Sequence, residues 1–392
     1  MKFRKEYKFF ILGSYGQFNM GDDGLLEVMK ENLKDHQLVF NSDNPSLTEE
    51  RFKVKAVYTY PQKDFWAKIK TFFWCDAIVY GGGTVIVQNL KILVFMFLGN
   101  FLARIFRKKV IYLGVGVGYL QSYPFLQKLA KLVCLTANLM TLRDQGSFNE
   151  LKKIGVRMEK IRVTADPVLL LKPINKIQTQ KILKIEGINK KNHLVGLSPR
   201  FHGFQKEYEN FIKQLRKAAD YLLSHYQVTL ILIPIQWAFN YSSGYQWKYD
   251  EIAIKEFFKS FKEKKNVFFI GKRKYLPREI AGIIGSLDFY ISSPLHSLMV
   301  AFTQGVPMIA TNYSSKFDHK ISQFMKLINQ EEFMVDYSQI NFVLLKEKID
   351  QSFETLNFRK KFLQERQKKI INNARLNFNL LFKIMEESKN SD

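Results

Sequence analysis

The sequence predicts an α/β protein built from two doubly wound, mostly parallel sheets. Short apolar runs of strand length recur along the chain, and most stop at glycine or a polar turn. Stretches with apolar residues every three or four positions separate them, as in helices packed on a sheet. The alternation then restarts after a polar, lysine-rich stretch from Lys172 to Asn192, which reads as a link between halves. At 392 residues the chain exceeds one ordinary core and fits two domains of roughly 150–200 residues.

In the first half, expected over residues 1–175, strands are predicted at Lys8–Leu12, Asp76–Tyr80, Val110–Leu113, Leu139–Leu142 and Ile161–Thr164. At their ends stand Gly13, Gly81-Gly82-Gly83, the run Gly114 to Gly118, Arg143-Asp144 and Ala165-Asp166-Pro167. Helices follow from about Gly24 to Leu33 and along Phe148, Leu151 and Ile154. The second half, expected over 190–345, carries strands at Leu194–Leu197, Val228–Ile233, Val267–Ile270, Phe289–Ile291 and Met308–Ala310. Its helices are Tyr208–Ser224, Glu251–Phe261 and Pro277–Gly285. Within 346–392, Lys346–Glu387 is amphipathic and predicts one or two helices that could cross back to the first domain. Open sheets of this kind bind ligands beyond the carboxyl ends of their strands, where the glycine turns fall. Two such domains facing each other would make an interdomain cleft.

Sixty Lys and Arg against 36 Asp and Glu leave a net charge of +24. This favours acidic partners: nucleic acid, anionic lipid or a phosphorylated substrate. The basic residues are spread out, with no zinc-knuckle spacing and no aromatic RNA-binding octapeptide, which argues against nucleic acid. Cys75 and Cys134 lie in apolar surroundings without CxxC spacing and read as reduced core thiols of a cytoplasmic protein. Six histidines and two cysteines without ligand spacing offer no metal site. The amino-terminal run Phe9 to Leu12 is too short for a signal-peptide core. Ile92–Phe106 falls short of the ~20 residues of a spanning helix. Asn100 and Arg104 interrupt it, and Arg107, Lys108 and Lys109 follow. A buried helix packed on a sheet is the plainer reading. Peripheral docking on an anionic membrane surface is the other.

The turns supply the candidate site residues. Gly81-Gly82-Gly83-Thr84 would let a ligand approach the backbone, whose N–H groups can bind anions; a tight turn would use the same residues. Gly114 to Gly118 lacks GxGxxG spacing and the acidic residue about 20 positions on, which argues against a dinucleotide site. Gly82, Gly83 and Gly116 are the candidate ligand loops. Asn19, Asp22 and Asp23, on a loop entering a helix, could bond sugar hydroxyls, serve as a base, or cap the helix. Arg200, at the carboxyl edge of its strand, suits a carboxylate or phosphate, with His202 on the same loop. His296 follows Ser292-Ser293-Pro294 at a strand-to-helix junction, a place for a general acid or for a satisfied core histidine. Lys316, near Asp318 and His319, could hold an anion or be a solvated charge.

Together these segments resemble the polysaccharide pyruvyl transferase family from Gly13 to about Phe324. The residues that carry the resemblance are Asn19-Met20-Gly21-Asp22-Asp23, Ala77 to Gly83, Leu113 to Gly118, Leu142-Arg143-Asp144 and Ala165-Asp166-Pro167-Val168. Val195 to Arg200 and Ser293-Pro294-Leu295-His296, through Gly305-Val306-Pro307 to Tyr313 and Lys316, complete the set. The resemblance implies two Rossmann-like domains in a GT-B-like arrangement. It also implies transfer of pyruvate from phosphoenolpyruvate to two hydroxyls of a sugar, forming a ketal. The acceptor would be a cell-surface polysaccharide or its lipid-linked precursor. Phosphoenolpyruvate would be a co-substrate, with no further cofactor. By position His296 is then the acid, Arg200, Leu295 and Lys316 hold the donor, and Asn19, Asp22 and Asp23 meet the acceptor. One departure matters: the family reads Arg-Leu-His where this chain has Pro294-Leu295-His296. Losing that arginine removes a bidentate anion contact, which Lys316 or Lys272 to Lys274 would have to replace. A nucleotide-sugar glycosyltransferase of the same architecture is the alternative enzyme. The absence of Glu between Ser292 and Ile321 argues against its paired-glutamate subtype. A relative that binds glycan without chemistry is the non-enzyme alternative.

Overall fold

The computed structural model describes residues 6–59, 63–120, 123–189, 192–200, 205–238, 250–313 and 318–387. His202 and Lys316 lie outside the described residues. The chain divides into two compact units. One comprises Met1–Gln17, Asp22–Leu170 and Lys369–Asp392; the other comprises Phe18–Gly21 and Leu171–Lys368.

The first unit holds strands β1 (Lys8–Leu12), β2 (Gln37–Ser42), β3 (Lys55–Tyr58), β4 (Ala77–Gly81), β5 (Thr84–Ile86), β6 (Lys109–Val117), β7 (Leu139–Leu142) and β8 (Ile161–Val163). Helices α1 (Met20–Asn32), α2 (Pro45–Phe52), α3 (Phe65–Trp74), α4 (Leu90–Ile105), α5 (Pro124–Thr136) and α6 (Gln145–Lys153) alternate with them. The sheet runs β3-β2-β1-β4-β6-β7-β8, with β5 paired to β6, and every pairing is parallel. Its central strands are buried on both faces, which explains why β4 reads as the continuous apolar run AIVYG. Asn44, Asp64, Asn89 and Asp144 each accept a backbone N–H at the start of α2, α3, α4 and α6.

The glycine run from Gly114, expected to end a strand, lies largely inside β6. Gly114 must be glycine on two counts: its φ is 58°, and a Cβ there would strike Pro167. Asn100 interrupts the apolar sequence of α4 but not its fold, because it faces inward. It accepts from the Tyr80 hydroxyl at 2.9 Å and donates to Tyr112 and Thr136 at 2.7 and 3.0 Å. Cys75 and Cys134 are free and buried, and burial pushes their thiols up to about 11 and about 12.

The second unit holds β9 (His193–Ser198), β10 (Val228–Leu232), β11 (Val267–Phe269), β12 (Phe289–Ser292), β13 (Met308–Asn312) and β14 (Met334–Asp336). Its helices are α7 (Lys176–Ile185), α8 (Gln205–His225), α9 (Asp250–Lys259), α10 (Pro277–Gly285), α11 (Leu295–Thr303), α12 (Lys320–Leu327) and α13 (Phe342–Glu354). The sheet order is β11-β10-β9-β12-β13-β14, again all parallel. Both sheets thus reverse their strand order once, at β1/β4 and at β9/β12. The stretch expected to be a linker contains α7, closed by a capping box between Asn175 and Gln178. Helix α14 (Leu356–Glu387) belongs to the second unit up to Lys368 and to the first from Lys369. In the first unit its buried Asn377 accepts from Thr164 at 2.8 Å and donates to the Ala165 carbonyl at 2.9 Å.

Candidate active site

In the second unit, Arg200 and His296 leave neighbouring strands. Ser198 of β9 is the register partner of Ser292 of β12, and the two chains turn out of the sheet at its reversal point. A hydrogen-bonded relay joins the two turns. Tyr337 donates to the carbonyl of Arg200 at 2.8 Å, and its hydroxyl meets that of Ser293 at 2.8 Å. Ser293 in turn meets Thr311 at 2.8 Å. The Tyr337 ring stacks on Phe211 with centroids 4.0 Å apart, which fixes the hydroxyl in place.

The guanidinium of Arg200 meets an amide, an aromatic ring and a carboxylate among its partners. Nη2 donates to Gln236 Oε1 at 3.0 Å, and the group lies 5.9 Å from the centre of the Tyr313 ring. Nε stands 3.8 Å from Asp250 at the start of α9. The Arg200 side chain keeps 21% of its surface while Asp250 keeps 1%. Burial pushes the Asp250 carboxyl up to about 6, against the opposing pull of Arg200 and the Gln236 main chain. Among the described residues neither oxygen of Asp250 has a hydrogen-bond donor at full bonding geometry, and the buried indole nitrogen of Trp237 has no acceptor. Unsatisfied buried groups are rare in folded proteins and concentrate where ligands act. Asp250 was missed in the sequence because an acidic residue opening a helix reads as a cap.

His296 stands in the first turn of α11, whose amino end carries no side-chain cap. Helix amino ends of this kind favour an anion. The segment Phe18–Gly21 lies beside it. Met20 N–H donates to Ile235 O at 2.8 Å, Trp237 N–H donates to Phe18 O at 3.1 Å, and Asn19 bridges Gln236. Gly21 faces the His296 ring so closely that a Cβ would overlap Nδ1. The Asn-Met-Gly motif and the histidine therefore meet, although positions 19 and 296 are 277 apart in sequence. Asn19 itself accepts from Gly21 N–H at 3.0 Å, holding the first turn of α1, and Leu295 is buried at the start of α11.

The remaining cations sort themselves. Lys272 donates to Ile185 O and Lys274 to Ala238 O, the latter at 2.6 Å. Lys320 was not singled out in the sequence. Its ammonium lies 5.3 Å from the centre of the Tyr313 ring that Arg200 also faces, and 3.2 Å from Asp318.

In the first unit the expected ligand residues separate. Asp23 is buried, pairs with Arg51 at 3.0 Å and accepts from Gly16 N–H at 3.0 Å. Burial still pushes its carboxyl up to about 6. Both of its oxygens are thus engaged inside the first unit, by Gly16 and Arg51, and not turned outward as an acceptor contact would need. Asp22, half-buried, lies 3.8 Å from where a Gly83 Cβ would stand. Gly82 and Gly83 adopt φ 80° and 77°; Gly82 backs onto Leu25, whereas Gly83 meets only Asp22 within 4 Å. Gly116 corrects an expectation. It lies in β6, its N–H donates to Gly83 O at 2.7 Å, and its missing Cβ makes room for Arg143. Buried Arg143 donates to Thr84 at 2.9 Å and pairs with Asp144 and Asp166, each at 3.4 Å. Asp166 is thus half of a buried ion pair and not only a turn residue. Among the described residues no group of three or more His, Cys, Asp or Glu side chains is placed to hold a metal ion.

The fold and this site define two parallel-sheet α/β units of the GT-B-like class. A crystal structure of a glycosyltransferase from Rickettsia africae matches with a TM-score of 0.62 at 15% identity, covering 98% of this chain and 99% of that one. Anabaena HepE, solved with UDP-glucose, matches at 0.62 and 16%, covering 96% and 100%. A UDP-GlcNAc 2-epimerase from Neisseria meningitidis matches at 0.60 and 13%, covering 97% and 100%. These likenesses show the fold alone. The profile of polysaccharide pyruvyl transferases matches residues 19–315, and the chain belongs to that family. The amylovoran biosynthesis protein AmsJ of Erwinia amylovora is 24% identical over 304 residues, covering 74% of this chain and 67% of that protein.

Proposed function

We propose that the protein transfers pyruvate from phosphoenolpyruvate to two hydroxyls of a polysaccharide sugar, or of its lipid-linked precursor, as a ketal. One observation carries the reading: a cation and an imidazole, Arg200 and His296, leave adjacent strands where the sheet order reverses. In the reaction, C3 of the donor takes a proton and becomes a methyl group while C2 accepts a sugar oxygen. Phosphate leaves, the second hydroxyl closes on C2, and both hydroxyl protons are released. His296 is the acid for C3. Arg200 balances the donor's carboxylate or phosphate. Lys320, whose ammonium lies 5.3 Å from the centre of the same Tyr313 ring, is the cation proposed to offset the charge that Pro294 lacks. Asn19 and Asp22 remain the acceptor candidates. Lys316 stays a donor candidate from its sequence position.

A second reading, a nucleotide-sugar glycosyltransferase, is favoured by the fold neighbours solved with UDP and UDP-glucose. Purified protein incubated with phosphoenolpyruvate and lipid-linked or nucleotide-sugar acceptors should release phosphate. His296→Gln should lower that release by roughly 10²–10⁴-fold without shifting the melting temperature. UDP release from nucleotide sugars, with phosphoenolpyruvate untouched, would establish the second reading instead.

A further inference from the structure

We propose that the outer face of α3, α4 and α5 docks the protein on an anionic lipid bilayer surface. Helix α4 is apolar on both sides. Leu93, Met96, Asn100 and Ala103 face the core, while Ile92, Phe95, Leu98, Leu102 and Ile105 are exposed at helical spacing on the other side. A helix apolar all round belongs in a protein core or in lipid, and only half of α4 is in a core. The neighbouring helices extend the same surface. Trp66 and Phe73 of α3, and Phe125, Leu132 and Leu135 of α5, are also exposed; Trp66, Phe95 and Phe125 keep 70%, 64% and 65% of their area. Contacts make these helices one surface: Phe73 packs edge-on against Phe106 with centroids 5.0 Å apart, and Arg104 donates to Leu135 O at 3.2 Å.

Charge selects the occupant. Between Asp76 and Asp144 the sequence contains no acidic residue. Exposed Lys91, Arg104, Arg107 and Lys128 lie among and beside the apolar side chains. A second copy meeting this face symmetrically would oppose its own cations. Anionic headgroups complement them while acyl chains take the aromatic side chains. No helix among the described residues is long and apolar enough to cross a membrane, so the geometry is that of a helix lying in the interface.

The test is co-sedimentation of the full chain with phosphatidylcholine vesicles, with and without phosphatidylglycerol. Binding is expected on phosphatidylglycerol vesicles, weakening at high salt. Two double variants, Phe95→Ser with Leu98→Ser and Lys91→Glu with Lys128→Glu, should each reduce partitioning by roughly tenfold or more. The charge variant keeps the test valid should the apolar one misfold. Wild-type protein left in the supernatant, or variants that bind as wild type does, would overturn the proposal. So would a dimer in light scattering that Phe95→Ser with Leu98→Ser converts to monomer, since a second copy would then cover the face.

Discussion

Nε of Arg200 lies 3.8 Å from Asp250, a carboxylate with 1% of its side-chain surface exposed and, among the described residues, no well-aligned hydrogen-bond donor on either oxygen. The distance is long for an ion pair, so the attraction only partly offsets the removal of Asp250 from water. Arg200 consequently works in a field that changes with the protonation of its neighbour. With Asp250 neutral, the opposing charge beside the guanidinium is removed, which strengthens its attraction for an anion.

Stability should report that neighbour directly. The folded state holds the Asp250 proton up to about pH 6, whereas the free group loses it near 3.8. Between those values the folded protein binds more protons, so stability falls as pH rises, by on the order of 3 kcal/mol in total. Asp23 behaves alike in the first unit, so the comparison must be with a variant. Calorimetric melting temperatures of Asp250→Asn relative to wild type should be lowest near pH 4 and climb to a plateau above pH 6. A difference that does not change with pH would mean that folding does not raise the pKa of Asp250.

Gly21 should be irreplaceable for a local reason. Any Cβ at this position overlaps Nδ1 of His296, and the Gly21 backbone is held by Asn19. Gly21→Ala must therefore push the imidazole aside. Turnover is expected to drop by about 10²-fold, as for small misplacements of a reacting group, with the melting temperature within a few degrees of wild type. The same loss in Gly21→Ala and His296→Gln, with no further loss in the double variant, would show that both act through one ring.

Much of the sheet was readable because buried parallel strands are written as short apolar runs. β1 and β7 match their expected bounds, and β4, β8, β9, β10 and β12 differ by a residue or two. β3 and β14 escaped because they are short edge strands, half-exposed and partly polar. The glycines of β6 were read as a turn, since a strand rarely tolerates them. Their reason is the space required by Pro167 and Arg143, groups that only the fold brings near. Likewise Arg200 and His296 could be proposed singly from their strand ends. Of the partners that define their surroundings, Gly21 stood in a recognised motif with nothing to tie it to His296, while Asp250, Tyr337 and Lys320 lie on separate elements and carry no local signature.

Asn377 should be needed by the first unit in spite of its distance in sequence. Its side chain is wholly buried, bonds Thr164 and the Ala165 carbonyl, and also accepts from Thr141. Asn377→Leu leaves these groups buried without partners and is expected to cost about 2–4 kcal/mol. Hydrogen exchange should then show faster exchange in residues 139–165 than in the second unit. Equal acceleration in both units would contradict a role confined to this network.

Tyr337 separates positioning from packing. Its hydroxyl is shared between Ser293 and the Arg200 carbonyl, at 2.8 Å each. Its ring is held independently against Phe211. Tyr337→Phe keeps the stacking and removes only the link between the two turns, at an expected cost of about 1–2 kcal/mol. Should Arg200 hold the donor in both ground and transition states, loosening its turn raises the donor KM several-fold and leaves kcat nearly unchanged. His296→Gln should do the reverse, lowering kcat with KM retained. Steady-state kinetics at saturating acceptor distinguish the two. A Tyr337→Phe protein with a lower melting temperature but an unaltered donor KM would leave Tyr337 as a packing residue and detach Arg200 from donor binding.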